Sequence, residues 1–271
     1  MPAADIATGS VPDVVDDYQR NPAYERRVVV FYDVLGWRSQ IAKAGHDVQE
    51  IGKLRRYILQ HTRIIKQATN HNLRVSTFSD NIVLTQPLTE RSSYFIQQFG
   101  SIIMSAALGG ILIRGGITIG DVIHDDEVVF GPGLNRAYEL ESKLADVPRV
   151  VLDPNASHEF GELPKTLSEE GGFQFIDPFT VQYIAFLQNF YRRMPKLDMN
   201  SIGLPSYSSD LTMVPPDQIL SVIYEVLRKE IRSPLEDKEY RKVSWLFDRI
   251  AARVGMPPAS SYGRVSALDV V

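Results

Sequence analysis

Two aspartates stand where an ionised carboxylate is expensive unless something offsets its charge. Asp33 closes the run Val28-Val29-Val30-Phe31-Tyr32, and Asp80 follows Phe78-Ser79 between two further apolar runs. A carboxylate at the end of a buried strand needs a cation or hydrogen-bond donors around it. Two of them at one end of neighbouring strands make an oxygen-ligand site for hard divalent cations. A pair of such ions ~3.5–4 Å apart orients an attacking hydroxyl and stabilises charge that grows on phosphorus oxygens and the leaving group. Taken alone, either aspartate reads as a turn former or a helix cap. The chain has no cysteine, so any metal must be held by oxygen or imidazole. Its five histidines show no paired helical spacing for zinc, and His124-Asp125-Asp126-Glu127 reads as a solvated hairpin loop.

The elements that must position these acids follow from periodicity. Val28 to Tyr32 reads as a strand buried on both faces. From Ser39 to Asn70 apolar residues recur at helical spacing, with Gly45 and Gly52 as possible divisions. Leu73 to Phe78 and Ile82 to Thr85 are strands joined through Ser79-Asp80-Asn81, which puts Asp80 at a hairpin tip. A helix from Thr89 to Leu108, a glycine-bearing strand from Ile111 to Gly120, a helix from Leu134 to Ala145 and a strand at Val150-Val151-Leu152 complete the series. The order strand, helix, strand, strand, helix, strand is that of a ferredoxin-like α+β sheet, the palm arrangement, with helices expected on one face. In that order the first strand lies beside the hairpin, so Asp33 and Asp80 converge. We divide the chain into an N-terminal arm (1–25), a catalytic core (26–153) and a mainly helical C-terminal extension (154–271), with helices expected at 175–193, 216–232 and 238–254.

Bulk properties exclude several classes. The 271 residues are 44% hydrophobic and carry a net charge of -4, so no global basic field invites nucleic acid. The longest apolar stretch, Ile102 to Ile113, contains Ser105, Gly109 and Gly110 and falls short of the ~20 residues a membrane span needs. The first residues lack the pattern of a secretory signal. A cytoplasmic enzyme without membrane contact is the expectation. A phosphatase using an aspartyl nucleophile is set aside because it needs an acid two residues after Asp33, where this chain has Leu35.

Four segments in order resemble the class III nucleotidyl cyclases. Phe31-Tyr32-Asp33-Val34-Leu35-Gly36-Trp37 is similar to that family's first metal-binding strand end, and Phe78-Ser79-Asp80-Asn81 to its second. Arg114-Gly115-Gly116-Ile117-Thr118-Ile119-Gly120 resembles its Arg-containing, Gly-rich strand, and Val129-Phe130-Gly131-Pro132-Gly133-Leu134-Asn135 the loop entering its Asn helix. The resemblance covers about Val28 to Asp153. It implies that Asp33 and Asp80 hold two ions, Mn²⁺ or Mg²⁺, with the carbonyl of Val34 as an extra ligand. Phe31 and the turn Leu35-Gly36-Trp37 would lie beneath the triphosphate, Arg114 would bind phosphate oxygens, and Asn135 would position the ribose. It further implies a homodimer whose active site draws on both subunits. Read from the residues alone, Arg114 is equally a salt-bridged strand residue and Asn135 a solvent-facing helix residue.

Departures from the purine cyclases narrow the substrate. Those enzymes read their base with Lys or Glu four residues before the second metal aspartate, where this chain has Ser76, and three positions before the loop glycine, where it has Val128. Glu139 replaces their transition-state arginine, which leaves Arg114, Arg136 or Arg149 to supply that charge. Together with Ala137-Tyr138-Glu139-Leu140-Glu141 and Pro148-Arg149-Val150, the pattern is most similar to the pyrimidine cyclases of bacterial Pycsar anti-phage systems. That similarity implies UTP as substrate, cyclic UMP as a second messenger and a separate cyclic-nucleotide-gated effector. Cyclic CMP formation, another palm enzyme and an inactive nucleotide-binding regulator are the alternatives.

Overall fold

A computed structural model of the chain describes residues 23–52, 54, 55, 58, 59, 73–90, 92–164, 167–185 and 216–264. The arm up to residue 22, part of the first helical segment and residues 186–193 of the expected C-terminal helix lie outside the described residues.

Strand β1 (Glu25–Val34) lies inside the sheet, flanked on both sides, and four of its residues, Val28, Val29, Val30 and Tyr32, are wholly buried. It pairs antiparallel with β3 (Asn81–Pro87) on one side and with β4 (Ile113–His124) on the other. Strand β2 (Arg74–Phe78) makes a hairpin with β3, Phe78 opposite Asn81. The resulting order β2-β3-β1-β4 is the ferredoxin-like order expected from the sequence, and the chain is a mixed α+β palm. Between these strands lie α1 (Trp37–Ala44), which Gly45 ends as expected, and α2 (Ser92–Leu108). Phe95, Phe99, Ile103 and Ala107 recur at helical spacing on α2 and are buried.

Two expectations give way. First, α3 (Pro132–Leu144) lies on the opposite face of the sheet from α2, so helices cover both faces rather than one. The reason is in β4. Gly116 and Gly120 share the α3-facing side, and Cβ atoms there would come within 2.5 Å of the Ala137 carbonyl and 2.6 Å of Gly133 Cα. Only bare backbone admits the helix at that distance. Second, past the short β5 (Val129–Phe130), which pairs with the end of β4, the sheet does not stop at β6 (Val150–Leu152), which joins β4 in parallel. The hairpin β7 (Leu167–Glu170) and β8 (Phe173–Ile176) extends it through β8 beside β6, so Phe175 and Ile176, expected to open a helix, are strand.

Helices α4 (Pro216–Ile231) and α5 (Asp237–Val254) pack on each other. Ile223, Leu227, Leu246, Phe247 and Ile250 join Val28, Val30 and Tyr32 of β1 in the main core. The C-terminal segment therefore completes that core. Buried Asp177, held by Arg249 and Arg253 of α5, ties the end of β8 to it. No helix among the described residues is long and apolar enough to cross a membrane.

Candidate active site

Alternation along β1 sends Val28, Val30, Tyr32 and Val34 into the main core and Val29, Phe31 and Asp33 to the α3 side. Asp33 is thus the last side chain of β1 on that side. Its cross-strand partner on β4 is Arg114, which donates from Nε to Oδ1 and from Nη2 to Oδ2, both at 2.9 Å. Nη2 also lies 2.8 Å from Oε1 of Glu141 on α3, in charge contact but out of line for a hydrogen bond. The β2–β3 turn brings in the other aspartate. Ser79 has φ 58 there, a sign that only glycine adopts freely, and the two-residue turn holds Asp80 at its tip. Tyr32 faces Ile82 across the β1–β3 ladder, so Asp80 stands at the same end of the sheet as Asp33. Both aspartates act electrostatically on Arg114 and on Glu141.

Burial would lower the pKa of Arg114, but the hydrogen bond to Asp33 and the charges of Asp33, Glu141 and Asp80 outweigh it and raise it. Glu141 is 2% exposed, and burial followed by the charge of Asp33 pushes its carboxyl up to about 7. From α5, Lys242 reaches the same field. Burial and the neighbouring Arg114 and Lys238 lower its pKa, while Asp33 opposes them. A cleft of ≈ 250 Å³ that includes Lys242 is lined by Gly36, Ser39 and Lys43 of the α1 end and, from the C-terminal helices and their connection, by Lys238 and Lys242 together with Glu230, Glu236 and Glu239, so its lysines are matched by carboxylates.

The donor set fits divalent ions in part. Asp33 and Asp80 are hard oxygen ligands at one sheet end, and Mg²⁺-type ions commonly take one or two carboxylates plus substrate phosphates. No cluster of three or more metal-binding side chains occurs among the described residues. The Val34 side chain is buried in the core, which leaves only its carbonyl for that role. Arg114 is the cation that neutralises Asp33 in this structure.

Other residues singled out from sequence divide into two groups. Phe31 and Ser76 line a second groove, ≈ 300 Å³, with Thr77, Phe78, Asn81, Val83, Val129 and Tyr138. Gly36 has φ 75 and opens α1, whereas the Leu35 amide is already donated to the Leu112 carbonyl at 2.8 Å and Trp37 is a core residue. That leaves the amides opening α1 as the donors for an anion. Asn135 is exposed in the first turn of α3, and six residues of helix, ~9 Å of rise, separate it from Glu141 beside Arg114. One chain does not bring Asn135 to Asp33. Arg136 is bidentate on buried Asp153, at 2.9 and 2.8 Å, and Arg149 lies over the Phe173 ring at 4.5 Å, so both are engaged in packing the fold.

His124 is the clearest departure. Far from being solvated, it is 2% exposed, with Nε2 2.9 Å from Ser76 Oγ and Nδ1 3.0 Å from Thr85 Oγ1. Burial and the charges of Arg27 and Arg74 pull its pKa down to about 4. The rest of the loop behaves as expected, with exposed Asp125 accepting from the amides of Glu127 and Val128.

The raised pKa of Glu141 makes a prediction. Between 4.5, its ordinary value, and about 7 the folded protein holds a proton that the unfolded chain releases. Stability from this group is therefore full below 4.5 and is lost as pH rises through 7. Glu141→Gln should gain about 2 kcal/mol on the wild type between pH 5 and 8, since each tenfold change in proton affinity is worth ~1.4 kcal/mol and part of it is lost to solvent screening. Denaturant midpoints at the two pH values test it, and parallel profiles for the two proteins would refute it.

No protein-family model matches the chain. Among curated proteins it is similar to the CRISPR system endoribonuclease Csx1 of Methanocaldococcus jannaschii, 27% identical over 149 residues, which span 51% of this chain and 30% of that protein. The chain thus matches less than a third of that relative's length. Among solved structures, a bacterial light-regulated adenylyl cyclase aligns over 72% of this chain and 58% of its own, with TM-score 0.43 and 13% identity. The guanylate cyclase domain of RhGC from Catenaria anguillulae, in complex with GTP, aligns over 57% and 95%, with TM-score 0.41 and 17% identity. The adenylyl cyclase CyaB from P. aeruginosa aligns over 57% and 96%, with TM-score 0.40 and 14% identity. The strand order and register of this chain, rather than those scores, establish its palm topology.

Proposed function

We propose that the chain is a class III-type nucleotidyl cyclase that closes UTP into 3′,5′-cyclic UMP and pyrophosphate, as a homodimer in the cytoplasm. The observation that carries this reading is the placement of Asp33 and Asp80 at one end of adjacent strands, with Arg114 and Glu141 beside them. Asp33 and Asp80 would hold two Mn²⁺ or Mg²⁺ ions, which when bound lower the pKa of the ribose 3′-hydroxyl and offset charge on the phosphorus oxygens. Arg114 turns from Asp33 to the phosphates as Asp33 acquires other cationic partners, and Glu141 retains the proton that its burial favours until that exchange. Gly36 and the amides opening α1 face the triphosphate, at the mouth of the cleft where Lys43, Lys238 and Lys242 stand among Glu230, Glu236 and Glu239. Phe31 and Ser76 take the base.

Asn135 supports the dimer. It is exposed and remote from Asp33 within one chain, so a second copy would have to supply it. The surface around the base groove is apolar enough to receive that copy, with Phe78 82%, Tyr138 54% and Phe130 47% exposed. The anti-phage role and the separate effector gated by the product rest on the resemblance of the motifs.

Incubating the protein with Mn²⁺ and each of ATP, GTP, CTP and UTP, then resolving products by chromatography with mass detection, tests the reading. Cyclic UMP is the expected product. Cyclic CMP or a purine product would keep the chemistry and replace the substrate, whereas metal-dependent RNA cleavage without cyclisation would overturn it.

A further inference from the structure

A buried chain of polar groups runs beneath the base groove. The Arg27 guanidinium donates from Nε to Thr85 Oγ1 at 3.0 Å and from Nη2 to the Thr85 carbonyl at 3.3 Å. Thr85 Oγ1 is 3.0 Å from His124 Nδ1, and His124 Nε2 is 2.9 Å from Ser76 Oγ. Arg27, Thr85 and His124 are each at most 3% exposed, and Ser76 alone opens into the groove. Four strands contribute to this one chain, because the end of β4 returns over the face formed by β1, β3 and β2.

The hydrogen positions in the chain are determined by counting donors. Arg27 can only donate, so Thr85 Oγ1 accepts from it. The Thr85 hydroxyl hydrogen then needs an acceptor, and among its contacts in this structure His124 Nδ1 is the atom that can serve. Nδ1 is therefore the unprotonated nitrogen of a neutral ring, Nε2 carries the hydrogen, and Ser76 Oγ accepts it. The Ser76 hydrogen is left pointing to the groove. Were the tautomer reversed, Ser76 would spend that hydrogen on Nε2 and offer lone pairs alone. The low pKa of His124 agrees with a neutral ring.

We propose that the relay Arg27 to Thr85 to His124 makes Ser76 an outward hydrogen-bond donor, and that the groove thereby selects a pyrimidine with a carbonyl oxygen at its 4-position, uracil over cytosine. This rests on the nucleotide-cyclising reading for the occupant of the groove. Each donor in the series polarises the next, which strengthens the last one. Phe31, Phe78 and Tyr138 supply apolar and aromatic walls suited to a planar ring, and the Phe31 and Tyr138 rings meet edge to face at 5.4 Å. The uracil 4-carbonyl accepts the Ser76 hydrogen. Cytosine places an amino group there, so the hydrogen goes unmatched at a cost of about tenfold in affinity. His124 is a positioning residue that acts through Ser76.

The full-length protein gives two readouts. Ring ¹⁵N shifts, assigned by the signals lost in His124→Gln, should show the Nε2–H tautomer of His124, and an Nδ1–H tautomer overturns the proposal. Competition binding of UTP and CTP should favour UTP about tenfold. His124→Phe should erase that preference through weaker UTP binding and KM, with kcat on UTP nearly kept, while His124→Gln, which retains an N–H near the Nε2 position, restores it. Equal losses for both nucleotides, or no rescue by Gln, would reduce His124 to a structural residue. Should the wild type bind UTP selectively yet form no cyclic product, the cyclase reading fails and this assignment stands. Equal binding of the two nucleotides, or of neither, sinks it whatever the turnover.

Discussion

Asp80→Asn is expected to lower kcat for cyclisation by about 10³-fold or more while leaving the unfolding free energy unchanged within ~0.5 kcal/mol. Asp80 is the cleaner of the two aspartates to change. Both oxygens of Asp33 are engaged by Arg114, so removing Asp33 strands a half-buried guanidinium and mixes a stability cost with a catalytic one. Asp80 sits at a hairpin tip where Asn is as good a turn residue. The amide keeps the size and one oxygen but loses the charge that would hold a divalent ion against phosphate. A kcat within tenfold of wild type would end the two-ion assignment, and a fall in melting temperature of several degrees would show that the change acts through the fold. The dimer can be tested with the same protein. Mixing Asp80→Asn with Asn135→Ala should restore part of the activity that each lacks alone, because a mixed dimer carries one site with both native residues. Failure of the mixture to exceed either variant would place Asn135 outside the site.

How much of this was legible in the sequence depends on how local each cause is. The strand ending at Asp33 announces itself by an unbroken apolar run, and the Asp80 hairpin by turn residues between two such runs, so their convergence follows once the strand order is known. The β7–β8 hairpin carries a local signal too, Gly171-Gly172 between two short runs, each with positive φ in the structure. Glu141 leaves a fainter trace. It falls four residues after Ala137 and one after Leu140, both buried, so a charge sits in the apolar stripe of an amphipathic helix. Such a residue is either paired or shifted in pKa, and here it is both. His124 leaves no local trace. Its neighbours Asp125 to Glu127 are exposed and polar, and its burial depends on Ser76 and Thr85, partners 48 and 39 positions away. Lys242 is equally opaque, since only the docking of α5 onto the main core carries it toward Asp33.

The position of α3, which the sequence order leaves open, should be the most fragile feature of the site. Gly116→Val is expected to destabilise the protein by about 3–5 kcal/mol, and to remove cyclase activity even under conditions where the variant stays folded. A Cβ at Gly116 would lie 2.5 Å from both the Ala137 carbonyl oxygen and Leu140 Cβ, and 3.2 Å from the Glu141 amide. Two of those three atoms are helix backbone and cannot rotate away, so the whole helix must move. Movement of α3 withdraws Glu141 from Arg114 and displaces Asn135, which α3 also carries. Gly36→Ala provides the control, because φ is 75 there but nothing lies within 4 Å of the added carbon. Its cost is the left-handed backbone alone, about 1 kcal/mol. Urea unfolding of the two variants separates steric from conformational need. A loss at Gly116 no larger than that at Gly36 would mean that α3 is held loosely, and that its contact with β4 does not set the distance between Glu141 and Arg114.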